Sequence, residues 1–180
     1  MTLPRRYTYA DYLQMPNDQR CEIIGGRLSM TPSPSGRHQT VLMRLSAILW
    51  QFVVGTGLGK VIPAPYDVVL SDQDIVQPDI LFLSTARLDR YADEGPLRTA
   101  PDLVIEILSP STAHWDRVEK RALYARSGVQ SYWLVDLKDR SITVIALPED
   151  AERIYRLGET LTDPVLSGFA MPVDELLHLD

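Results

Sequence analysis

Only one cysteine, Cys21, stands in 180 residues, which excludes an internal disulfide and a cysteine-built zinc site. Long hydrophobic runs are also missing. The longest, such as Leu103 to Leu108, fall far short of the roughly 20 apolar residues that span a bilayer. Positive charge is in deficit: 18 Lys and Arg face 24 Asp and Glu, a net charge of -6. A protein that coats nucleic acid with its whole surface needs the opposite balance, so only a local basic patch is compatible. No Gly-x-Ser-x-Gly elbow occurs, and Met1 is not followed by a basic-plus-apolar leader. The expectation is a reduced, cytoplasmic protein without membrane attachment. What remains is a chain with 45% hydrophobic residues, free of repeats and linkers, read over 1–180 as one domain.

Thr8 caps a short helix that stops ahead of Pro16, and Glu22-Ile23-Ile24 and Arg27 to Met30 flank a Gly25-Gly26 turn as a hairpin. From His38 to Val53, Leu42, Leu45, Leu49 and Phe52 form one apolar stripe, with Val41 and Ile48 beside it, which predicts a long helix. Gly55 to Lys60 has the look of a phosphate loop, yet it follows a helix, so a helix stop is the better reading. Tyr66 to Leu70, Ile80 to Leu83 and Leu103 to Leu108 read as strands, the last buried on both faces. A helix over Asp116 to Ser127 then leads to a strand at Tyr132 to Asp136, which predicts a parallel crossover. Ser141 to Ile145 returns antiparallel, Arg153 to Leu157 forms an edge, and a short helix lies near Val173 to Leu177. The pattern is an α/β domain with a mixed sheet.

Glu106 breaks this pattern. A carboxylate set among Leu103, Val104, Ile105, Ile107 and Leu108 costs several kcal/mol if it is charged and unpaired. It either pairs with an arginine, sits protonated, or belongs to a site. Asp79, at the start of the preceding strand, is a turn residue when read alone; if the two strands are neighbours, its carboxylate and that of Glu106 meet. Such a pair suits magnesium or manganese, which keep several waters and need only one or two carboxylates. A glycosidase pair would use the same two residues, but it lies in a wide aromatic cleft, and aromatics here amount to 8%. Lys120 follows Asp116 by one helical turn, either as a surface ion pair or as an ammonium beside the acidic site. His38 shares the stripe of the long helix and is either a core histidine or a group facing the site. Glu22 is either an ordinary strand residue or a third carboxylate.

Pro78-Asp79, Glu106 and Lys120 together resemble the PD-(D/E)xK nuclease superfamily. More narrowly, Gln77-Pro78-Asp79, Pro101 to Ser111, Asp116 to Lys120 with Tyr124, Gly128 to Asp136 and Cys21 to Leu28 with His38 resemble the bacterial endonuclease group called Uma-two. The resemblance implies a restriction-endonuclease-like fold, a mixed β-sheet core flanked by helices. It further implies that Asp79 and Glu106 hold magnesium or manganese, that Glu22 is an auxiliary acidic residue and that His38 faces the site. The superfamily places a lysine two residues after the glutamate; here that position is Leu108, and Lys120 resembles the migrated lysine of some members. The reading is a magnesium-dependent DNA endonuclease in which Lys120 orients the attacking water, and a two-fold homodimer would cut both strands of a duplex most simply. The alternatives are a catalytically silent nucleic-acid- or protein-binding domain on the same fold, favoured by Leu108, and a metal-dependent phosphoesterase on small nucleotides.

Overall fold

The computed structural model describes residues 5–16, 20–91 and 94–178. Helix α1 (Tyr9–Tyr12) is held by a reciprocal cap between Thr8 and Asp11. Strands β1 (Cys21–Ile24) and β2 (Arg27–Met30) pair through Ile24 and Arg27, and the turn between them takes Gly25 and Gly26 at φ 56° and 74°. Helix α2 (Gly36–Thr56) starts where Ser35 accepts from the His38 N–H, and it stops at Gly57 in the left-handed region. The glycine run is therefore a helix stop. The helix is longer at both ends than its apolar stripe because the caps set its limits.

The remaining strands are β3 (Gly59–Pro63), β4 (Val68–Ser71), β5 (Asp74–Val76), β6 (Ile80–Ser84), β7 (Leu103–Ile107), β8 (Ser131–Asp136), β9 (Ser141–Ala146), β10 (Ala151–Arg156), β11 (Thr160–Thr162) and β12 (Ala170–Pro172). Six of them form a central sheet in the order β10-β9-β8-β7-β6-β3, with β7 and β8 parallel and the other neighbours antiparallel. The crossover from β7 to β8 runs through α3 (Ala113–Trp115), a π-helical turn (Asp116–Lys120) and α4 (Arg121–Ser127), ending at Gly128. Helix α5 (Val173–Leu177) closes the chain. The mixed sheet and the parallel crossover match expectation. The sequence pattern did not separate a second, four-stranded sheet of order β2-β1-β5-β4, or the β11–β12 pair. Strands of three to five residues, as in β3, β5, β11 and β12, are too short to display a period.

The central sheet is buried on both faces. On one, Val41, Leu45, Leu49 and Val53 of α2 pack against Ile80, Phe82, Leu103, Ile105 and Trp133, joined by Leu176 and Leu177 of α5. Leu42, Ile48 and Phe52 are half-buried at the margin, so the inward stripe is centred slightly away from the one the sequence suggested. On the other face, Leu81, Val104, Tyr132 and Leu134 meet Leu123 and Tyr124 of α4, and Ile24, Val68 and Val76 of the small sheet. Layers of helix, sheet and helix-plus-sheet leave the C-terminal end of β7 as the place where these elements converge.

Asp163 secures the far end of this arrangement. Its carboxylate is buried and accepts from Trp133 Nε1 at 2.6 Å, from Ser131 Oγ and from the Val165 N–H at 2.8 Å. Asp163→Ala leaves donors stranded in the core at about 1–3 kcal/mol each. Thermal unfolding of this variant is expected to shift down by roughly 6–12 °C, a loss of about 3 kcal/mol.

Candidate active site

β6 and β7 are adjacent and antiparallel, with Ile80 opposite Ile105, so Asp79 sits one step before the paired strand, across from Glu106. The tertiary structure thus supplies the neighbourhood that the sequence reading required. Asp79 Oδ2 accepts from the Ile107 N–H at 2.8 Å and faces His38 Nε2 at 3.2 Å. A carboxylate oxygen only accepts, so Nε2 is the nitrogen carrying hydrogen. Burial works to lower the His38 pKa, but the hydrogen bond and charge of Asp79 outweigh it and leave that pKa raised. His38 Nδ1 is buried without a hydrogen-bond partner. The helix residue that shared the apolar stripe therefore faces the site as well as the core.

Lys120 is not on the surface. Its side chain is 5% exposed, and Nζ lies 2.9 Å from Glu22 Oε1, 2.9 Å from Glu106 Oε1 and 3.4 Å from Asp116 Oδ1. The π-helical turn carries both Asp116 and Lys120 inward, a local widening that recurs at functional sites. Glu22 comes from β1 in the small sheet, and its Oε1 also accepts from the Gln77 N–H at 2.9 Å. Tyr124 of α4 donates to Glu106 Oε1 at 3.0 Å. Two other elements, β1 and β7, and the lysine's own turn thus bring their charges to one buried ammonium.

The electrostatics follow from three carboxylates sharing one ammonium, with Asp79 close by. Burial pushes the Glu106 carboxyl well above its ordinary pKa; Lys120 pulls it back, and Asp116, Asp79 and Glu22 add to the rise. Asp116 is raised chiefly by burial. Burial opposes the charge on Lys120, but Glu106, Glu22 and Asp116 overcome it and hold its pKa well above the usual lysine value. The cluster sets more carboxylates than cations in one buried place, and Glu106 and Asp116 are the carboxyls that burial makes costlier to ionise. A group whose folded pKa is raised adds stability at pH below its unfolded value and loses it as pH rises through the folded one. Glu106→Gln keeps the acceptor for Lys120 and Tyr124 and removes this loss. It is expected to melt about 3 °C or more above the native protein at pH 8, the gap closing toward pH 4, as read by thermal melts across pH.

These residues lie around a cavity of about 750 Å³ between the loop Thr31 to Ser35 and the segment from Leu108 to Thr112. Arg20, Arg37 and Lys138 also line it, the last two exposed. Leu108, in the place of the superfamily lysine, adds an apolar wall and is buried. All five sequence-derived residues, Glu22, His38, Asp79, Glu106 and Lys120, line this cavity. Asp116 and Tyr124 were not singled out as site residues. The four-residue spacing of Asp116 from Lys120 was visible, but which face of that helix turns inward was not.

The donor set fits a hard cation. Asp79 Oδ1 and Glu106 Oε2 take no part in the bonds above; one belongs to the residue that leads into β6 and the other to the facing β7. No group of three or more His, Cys, Asp or Glu side chains among the described residues is set to enclose a metal ion. Magnesium does not require one, since waters complete its shell. No helix of the described residues is long and apolar enough to cross a membrane.

Comparison with known proteins agrees with this architecture. Residues 9–174 match the family described as "Uma2: Putative restriction endonuclease". An "uncharacterized protein" of Synechocystis sp. is 29% identical over 146 residues, 79% of this chain and 75% of its own length. A crystal structure of a "putative nuclease belonging to DUF820" from Anabaena variabilis superposes with a TM-score of 0.81 at 21% identity, covering 95% of this chain and 97% of that one. At that identity the likeness is one of fold.

Proposed function

The chain belongs to the Uma2 restriction-endonuclease family, and from that premise we propose that it is a divalent-metal-dependent DNA endonuclease, hydrolysing phosphodiester bonds at the Asp79–Glu106 pair. The observation that carries this reading is the meeting of two carboxylates on adjacent strands, each with one oxygen outside the surrounding bonds, beside a buried ammonium. Asp79 and Glu106 would hold the cation, magnesium or manganese, whose chemistry is to polarise the phosphate and acidify water.

The chain's own groups do the rest. The Ile107 N–H and His38 fix the Asp79 carboxylate in one orientation. Tyr124 and Lys120 do the same for Glu106. Lys120 cannot take a proton from water, because its ammonium is held by three carboxylates. It supplies positive charge near the scissile phosphate instead, balancing the charge that develops in the transition state.

The test is incubation of the full chain with single-stranded circular DNA and supercoiled plasmid in magnesium, manganese or EDTA. Cleavage confined to the metal-containing reactions is the expected result. The same ions at ten times their Kd are expected to raise the melting temperature by about 3–6 °C, since binding to the native state at that ratio contributes about 1.4 kcal/mol. Leu108 in the lysine position favours a second reading, a binding domain without catalysis; DNA retention with no turnover of any substrate would establish it.

A further inference from the structure

Building on the nuclease reading, we infer that this site acts on DNA whose nucleotide at the scissile position is unpaired, as in a single strand, a loop or a frayed end, rather than on intact duplex. Every group with chemistry to offer is sunk below the surface: the side chains of Glu106 and Lys120 are each 5% exposed, and that of Asp79 is 12%. A phosphodiester must therefore enter the cavity to reach them. At about 750 Å³ the cavity is on the scale of sites that enclose a small molecule, roughly 300–1,000 Å³. It has room for a nucleotide. A continuous duplex presents its backbone on a broad, stiff surface and stays outside such a space.

The lining agrees with a nucleotide taken out of the stack. Pro32, Pro34, Pro110 and Leu108 offer apolar faces on facing segments, the kind of surface against which an extruded base is held. Arg37 and Lys138 are exposed cations of the same lining, placed for flanking phosphates. Among the described residues no Phe, Tyr or Trp lines the cavity, so it lacks the row of large rings that would bind a long single strand base after base. It is suited to one or two nucleotides. A base already unpaired enters without the unpairing energy that a duplex must supply, and that difference is the source of selectivity.

The test compares initial rates with manganese or magnesium on four substrates: a relaxed, covalently closed duplex circle, a single-stranded circle, a closed duplex carrying one unpaired loop, and the small diester bis(p-nitrophenyl) phosphate. Cleavage of the single-stranded circle and of the loop at least tenfold faster than the relaxed duplex, with cuts mapping to the loop, is the expected result. Equal or faster cutting of the relaxed duplex overturns the inference and leaves the nuclease reading intact. Turnover of the small diester alone overturns it in favour of a phosphoesterase on small substrates. With no turnover of any of the four, the inference falls together with the nuclease reading.

Discussion

Lys120→Met is expected to unfold roughly 6–20 °C below the native protein at neutral pH. Lys120 is the counter-charge to Glu22, Glu106 and Asp116, all nearly sealed from solvent. Removing one partner of a buried ion pair costs about 3–5 kcal/mol because the remaining charge is stranded, and for a domain of this size each kcal/mol moves the midpoint by roughly 2–4 °C. The pH dependence identifies the cause. Without the ammonium, the folded pKa values of Glu106 and Asp116 rise further above their unfolded values, so the variant is penalised above the ordinary carboxylate range and recovers as pH falls below about 4. In the native protein, Lys120 contributes in the opposite sense: its raised pKa means stability fully present below the ordinary lysine value and lost only as pH rises through the folded one. Thermal melts from pH 4 to pH 9 test this, and a shift under about 2 °C at neutral pH would make the cluster inconsequential to folding. Cleavage, measured well below the variant's midpoint, should fall by roughly a hundredfold or more.

Asp79→Asn and Glu106→Gln are each expected to lose metal-dependent cleavage, by about a thousandfold or more, while remaining folded. A neutral amide is a poor ligand for a hard cation, which accounts for the loss. The geometry accounts for the survival of the fold. The amide oxygen that Glu106→Gln introduces would still accept from Lys120 and Tyr124, and the one that Asp79→Asn introduces would still accept from the Ile107 N–H. The melting response to magnesium should shrink in parallel. Retention of full cleavage by either variant removes that residue from the site. The contrast with Lys120→Met is informative because one change harms fold and activity together, whereas the carboxylate changes separate them.

Much of this was legible from local pattern. The Gly25-Gly26 hairpin, the α2 stripe ended by Gly57 and the unbroken apolar run of β7 each express a rule that acts within a few residues: positive φ at glycine, the 3.6-residue period, and burial on both sheet faces. Glu106 was conspicuous for the same reason, since a lone carboxylate in an apolar strand must answer for its desolvation. Such rules cannot say which sheet a short strand joins. β1 and β5 pair with each other rather than with the central sheet, and that pairing delivers Glu22 to Lys120.

The charge cluster shows where local determination ends. The spacing of Asp116 and Lys120 puts them on one side of a helix in any fold, but a surface pair and a buried cluster look alike in sequence. Burial depends on what packs above the helix, and here the cover is assembled from β1, β7 and the crossover, separated by up to 98 residues between Glu22 and Lys120. A carboxylate where it is costly, and no lysine at position 108, can be read from the order of residues alone. That Lys120 neutralises that carboxylate follows only from the packed layers, because desolvation and Coulomb energy depend on distance through the folded chain and on excluded water, and neither quantity exists before packing.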